Sequence, residues 1–157
     1  MFHQETTIVE RPVEEAWGFM TDLANTPKWD PGVLEVKQTS EGPVGVGTTI
    51  QSRHPKDRVL NARAIEYEPN HKFTLEFTSG PVKGTRVSYS MEIVEGKTKL
   101  TRTFDLKFSG AYRLVGPFVA RGARREGGAE VNNVKRILES EAKTQPSTNE
   151  PYRIGLA

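Results

Sequence analysis

The spacing of apolar positions changes twice along the chain. Val13, Ala16, Trp17, Met20 and Leu23 recur at three- and four-residue steps, which predicts one apolar helical face. The face opens just after Pro12, where helix starts tolerate proline. Before it, "HQETTIVE" (residues 3–10) is rich in β-branched residues and predicts a strand. "DLANTPKWDPGV" predicts a short helical turn broken by Pro27 and Pro31. After Gly32 the pattern becomes extended, over residues 33–39, 48–54, 59–68, 72–78, 85–94 and 99–108. Turn-rich loops such as "EGPVGVG", "EPNH" and "EGK" separate these segments. The helical period returns after Gly116-Pro117 and lasts to about Ala142. Strand, two helices, six strands and a long helix make an α+β chain. Its expected form is a seven-stranded antiparallel sheet with one face covered by the final helix.

The last two strands define the inner face. A turn at Gly96-Lys97 pairs Glu95 with Thr98, so Ile93 faces Leu100, Met91 faces Arg102, Tyr89 faces Phe104 and Val87 faces Leu106. One face then reads Val87, Tyr89, Met91 and Ile93 with Leu100, Phe104, Leu106 and Phe108. The other carries Arg86, Ser88, Ser90 and Glu92 with Thr101, Thr103, Asp105 and Lys107. Arg102 alone breaks the alternation, as a guanidinium on the apolar face. An unpaired buried charge is very costly, so Arg102 requires a partner. A ligand carboxylate, carbonyl or phenolate would serve, and so would Glu130, near the inward edge of the final helix.

That helix contains "VARGARREGGAEVNNVKRI" (residues 119–137), with three glycines that each cost a helix interior about 1 kcal/mol relative to alanine. Its inward stripe reads Ala120, Ala123, Gly127, Val131, Val134 and Leu138. The second half is bulky enough to fill a core. The first half is small and implies a cavity between helix and sheet, widened at Gly127 and edged by Gly122. The competing expectation is that Gly127 lets a bulky neighbour such as Trp17 or Met20 pack closely. Gly128 falls on the outer side with Arg121, Arg124, Arg125, Asn132 and Lys135.

Composition narrows the chemistry. The chain has 157 residues, enough for one domain, here placed at residues 1–142 with a flexible tail over 143–157. With no cysteine, disulfides, thiolate zinc sites and cysteine nucleophiles are excluded. The net charge of +2 gives no reason to invoke nucleic acid. No signal peptide pattern and no apolar run of about 20 residues is present, so stable membrane insertion is not expected. A cytoplasmic protein, monomeric or homodimeric, is the expectation. His3, His54 and His71 lack the spacing of a zinc site and read as surface or strand-end residues, so no metal or other cofactor is called for. Arg113, Arg121, Arg124 and Arg125 form a basic patch that reads as a solvated face, with phosphate or an anionic membrane surface as the alternative.

The stretches "RPVEEAWGFMTDLANTPKWDPGV" (11–33), "EGPVGVGTTI" (41–50), "AIEYEPNHKFTLEF" (64–77) and "RLVGPFVARGARR" (113–125) resemble the START-like superfamily. Within it they are most similar to the polyketide cyclase/dehydrase and lipid-transport branch. The stretch Trp29-x-Pro31-Gly32-Val33 is the best single marker of this similarity, which extends over about residues 3–142. The resemblance implies a helix-grip fold, with a curved sheet around the C-terminal helix and a deep apolar cavity. Ligands of the family include lipids, sterols and polyketides, and some members are cyclases or dehydratases. Trp29, Tyr89, Met91, Arg102, Phe104, Phe118, Ala123, Gly127 and Glu130 are the expected ligand-binding residues, with no catalytic residue assigned. Binding or carriage of an apolar small molecule is the leading expectation, because the inward positions supply no acid/base group beyond Glu130. A cyclase/dehydratase acting on a polyketide-like or polycyclic substrate is the alternative. A protein-interaction module is the second, and it would need an exposed apolar patch that the sequence does not reveal.

Overall fold

A computed structural model describes residues 2–144, without the side chains of residues 120, 123 and 142–144. Strand β1 (Phe2–Val9) leads into helix α1 (Val13–Thr21), a 3-10 turn (Leu23–Asn25) and the single-turn helix α2 (Thr26–Trp29). Six strands follow: β2 (Glu35–Gln38), β3 (Thr49–His54), β4 (Arg58–Glu68), β5 (Lys72–Phe77), β6 (Arg86–Val94) and β7 (Lys97–Asp105). A second 3-10 turn (Gly110–Leu114) enters helix α3 (Gly116–Thr144). The expected tail, residues 143–157, lies outside the described residues apart from 143 and 144, which continue the helix.

The sheet has the order β1-β7-β6-β5-β4-β3-β2, with every neighbouring pair antiparallel. Short loops make β2 to β7 a meander, and β1 closes its far edge against β7. A register shift between Ala64 and Glu66 in β4 bends the sheet. The helices cover its concave face. Val9, Ala16, Trp17, Met20, Met91, Leu100, Val131, Val134 and Leu138 belong to one continuous core. The second half of α3 is also fastened to β1 by polar bonds. Lys135 Nζ donates to the Ile8 carbonyl (2.7 Å), and the Glu10 amide donates to Glu139 Oε1 (3.0 Å).

The final hairpin turns one residue earlier than expected. Glu95 (φ 52°) and Gly96 (φ 75°) form its two-residue loop, and Val94 pairs with Lys97. Two positive φ angles match the right-handed twist of the strands; glycine adopts this conformation freely, whereas glutamate does so against preference. The register becomes Met91–Leu100, Tyr89–Arg102 and Val87–Phe104. A two-residue shift leaves every side chain on its expected face, because strand side chains alternate with period two. Ile93 is the exception in burial. It lies near the hairpin tip, beyond the helical cover, and is exposed. Thr98 opposite it is buried and donates to the Arg11 carbonyl (2.8 Å). Phe108 falls in the loop after β7 and packs under Gly116.

Leu138 is buried between α3 and the sheet. Leu138→Ala is expected to lower unfolding free energy by about 2–5 kcal/mol in denaturant titration. A loss under about 0.5 kcal/mol would contradict the packing of this face.

Candidate functional site

Tyr89 and Arg102 are cross-strand neighbours on the inner face of β6 and β7, directly beneath α3. Glu130 descends from α3 onto both. Arg102 Nε donates to Glu130 Oε2 (2.6 Å) and Nη2 donates to Oε1 (3.2 Å). The Tyr89 hydroxyl donates to the same Oε2 (2.7 Å). Both charged side chains are about 5% exposed. Of the partners open to Arg102 in the sequence, the fold supplies Glu130. The guanidinium also lies over the Phe104 ring, 4.8 Å from its centroid.

The guanidinium needs room above the sheet, and Gly127 provides it. A Cβ at Gly127 would stand 2.5 Å from Arg102 Nη1 and 3.2 Å from Cζ. The expected partners for this glycine, Trp17 or Met20, are not the neighbours that crowd it. Nor does Gly127 widen an empty space, because the arginine occupies it. Around Gly122 and Gly128 nothing lies within 4 Å of an added Cβ.

Beside the pair lies a cavity of about 440 Å³. Its apolar wall includes Leu60, Phe77, Val82, Val87, Phe104, Leu106 and Val119. Its polar end gathers Asp30, His54, Tyr89, Arg102, Glu126 and Glu130. Tyr89 stacks on Phe73 at 5.0 Å and meets Trp29 edge-on at 5.4 Å, so the tyrosine is fixed from two sides. Asp30 caps α2 and accepts from the Gly32 amide (2.9 Å), a short-range turn that aims the carboxyl toward Glu126 across Gly32. His54 Nδ1 lies 2.7 Å from the Gly32 carbonyl, which can only accept, so Nδ1 carries the proton. Its Nε2 meets Ser52 Oγ at 2.8 Å.

Electrostatics here are dominated by burial. Burial raises the Glu130 carboxyl to about 8; Asp30 pushes the same way, while Arg102 and Tyr89 oppose. Asp30 is also raised, by burial and by Glu126, against the Gly32 amide. Burial first, then Glu130, raises the Tyr89 phenol well above its usual value. Burial works against the Arg102 cation, but Tyr89 and Glu130 outweigh it and hold the guanidinium charged. A carboxyl raised to about 8, as in Glu130, exchanges its proton near neutral pH.

Of the residues expected to bind ligand, Tyr89, Arg102, Phe104 and Glu130 meet at the cavity. Trp29 and Met91 are buried in the core behind it, and Gly127 sits over Arg102. Phe118 is 79% exposed on the first turn of α3 and does not line the cavity. The Ala123 side chain lies outside the described residues. The expectation that only Glu130 brings acid/base character is corrected: Asp30, Glu126 and His54 reach the same cavity. His3 is likewise buried rather than surface-facing, with Nδ1 accepting from Arg124 Nε (3.0 Å). Local pattern concealed Asp30 and His54, since each lies at the end of an element and only the tertiary fold turns it inward.

Arg102→Met removes the buried cation and should destabilise the protein by about 3–5 kcal/mol, with Glu130→Gln added to it restoring much of the loss. The Glu130 folded-state value, already raised, rises further in Arg102→Met. Its stabilising contribution is then present below the ordinary glutamate range and lost as pH climbs through the folded value. The deficit of Arg102→Met should therefore be smaller at about pH 6 than at about pH 9, and nearly flat in the double variant. Additive single effects in chemical denaturation would contradict the pairing.

The zhui aromatase/cyclase from Streptomyces sp. R1128 superposes with a TM-score of 0.80 at 14% identity, covering 92% of this chain and 96% of that one. A START superfamily protein from Mycobacterium smegmatis gives 0.74 at 13% identity, covering 89% and 98%. The di-domain ARO/CYC StfQ from the steffimycin biosynthetic pathway gives 0.74 at 11% identity, covering 90% of this chain and 51% of that one. At such identities the likeness is one of fold. Compared with curated proteins, the chain finds no sequence match. The model of the family "Polyketide cyclase / dehydrase and lipid transport" matches residues 1–139, and the chain, with its seven-stranded helix-grip fold, belongs to that family.

Proposed function

We propose that this protein binds an apolar small molecule of lipid, polyketide or aromatic type between the sheet and α3. The observation that carries the reading is the cavity: its volume of about 440 Å³ falls in the range of small-molecule sites, with apolar walls and one polar end. Burial of rings or acyl chain against Leu60, Phe77 and Phe104 would supply most of the affinity. The polar end would orient an oxygen-bearing group. Membership of the family supports a ligand-binding or cyclase role.

A cyclase or dehydratase is the second reading, and the raised carboxyls of Asp30 and Glu130 favour it. Such an enzyme abstracts a proton beside a carbonyl and returns one to a departing hydroxyl. A carboxyl held more basic than usual can do either. Asp30 and Glu130 would carry these roles, with His54 held in one tautomer beside them.

Gly122 lines the cavity from α3 and has open space at its Cβ. Gly122→Leu should fill the cavity, lower the affinity for 1-anilinonaphthalene-8-sulfonate by about tenfold, and leave the fold intact or steadier through better helix propensity. Unchanged probe binding would sink the cavity reading. Asp30→Asn separates the two functions. A binder keeps its probe affinity and shows no turnover of a poly-β-ketone thioester in either form. An enzyme shows wild-type cyclisation by mass spectrometry that the asparagine variant loses.

A further inference from the structure

The entrance to α3 carries a surface that the cavity does not explain. Leu114 is 85% and Phe118 79% exposed, and Tyr112, Val115 and Val119 stand exposed around them. A patch of this kind on one short segment marks an interaction site. The sequence alone did not reveal it, because Tyr112, Leu114 and Val115 precede the predicted helix and Phe118 reads as a residue of the ligand site. Residues 107–125 also hold Lys107, Arg113, Arg121, Arg124 and Arg125 and no acidic residue. Elsewhere the chain has 17 basic against 20 acidic residues, so the positive charge of the protein is concentrated on this segment. The five apolar side chains lie between residues 112 and 119 with Arg113 among them, and Arg121, Arg124 and Arg125 are exposed on the turns of α3 that follow.

We propose that residues 107–125 dock the protein peripherally on an anionic lipid bilayer. Exposed apolar side chains next to a run of arginines suit the boundary between headgroups and acyl chains, where the one class enters and the other meets phosphate. Tyr112 adds an aromatic ring with a polar tip, suited to the same depth. Among the described residues no helix is long and apolar enough to cross a membrane, so the contact is superficial. Val119 and Gly122, on this segment, also line the cavity. Docking would hold that side of the cavity against the bilayer. The charge favours a lipid surface over an apolar protein face. The protruding Leu114 and Phe118 favour it over an acidic protein bound by charge alone.

The test is sedimentation with vesicles of phosphatidylcholine alone, or with about one quarter phosphatidylglycerol. The full chain should partition to the anionic vesicles. Arg121→Gln with Arg125→Gln should weaken partitioning about twenty-fivefold, at about fivefold for each arginine. Leu114→Asp with Phe118→Asp should weaken it at least about tenfold, with an unchanged melting temperature, since both side chains are exposed. A Phe118→Trp variant should be quenched by lipids brominated in the acyl chain. No preference for anionic vesicles would overturn the proposal. So would loss through the arginines with none through Leu114 and Phe118, which would point to an acidic macromolecule instead. Absence of quenching at position 118 would overturn it as well. None of these readouts depends on the ligand reading of the cavity.

Discussion

A guanidinium placed on the apolar face of a sheet forces everything around it to comply. Arg102 cannot lie unpaired among Tyr89, Phe104 and Leu100, so Glu130 must reach it from α3, and Tyr89 turns its hydroxyl to the same carboxylate oxygen. For the helix to come that close, the residue above the guanidinium must have no side chain. The glycine, the arginine, the glutamate and the tyrosine are one unit spread over three elements. Each is costly or unexplained when taken alone.

That unit also divides the molecule. C-terminal to it, Val131, Val134 and Leu138 fill the space between helix and sheet, and Lys135 and Glu139 tie the helix to β1. N-terminal to it, Gly122 and Val119 leave the helix standing off, and the cavity opens. The ion pair thus forms part of the cavity's polar end while holding the helix that roofs it. Two of the five guanidinium N–H donors go to Glu130. Arg102 also sets the field felt by the Glu130 and Asp30 carboxyls.

Much of this was legible in the sequence because it depends on period. Alternation in β6 and β7 put Tyr89, Phe104 and Arg102 on one face, and an error of two residues in the hairpin register did not disturb it. The helical stripe placed Val131, Val134 and Leu138 inward and set Glu130 at its edge, within reach of the arginine. What escaped depends on where elements end in space. Asp30 and His54 enter the cavity from the close of α2 and of β3, where no repeat points inward. Phe118 reads as an apolar lining residue but is exposed. The role of Gly127 also needed the fold, since a small residue on an inward stripe is equally consistent with a void or with a close neighbour.

The central claim is that Gly127 exists to admit the Arg102–Glu130 pair, and alanine substitution tests it most directly. Glycine to alanine inside a helix ordinarily stabilises by about 0.5–1 kcal/mol. Gly128→Ala, with open space around its Cβ, should show that gain in denaturant titration. Gly127→Ala should instead destabilise the protein, because the far end of Arg102 cannot move aside without breaking its bonds to Glu130. In an Arg102→Met, Glu130→Gln background, the same Gly127→Ala change should lose most of its penalty. Equal stabilisation by alanine at 127 and 128 would contradict the claim.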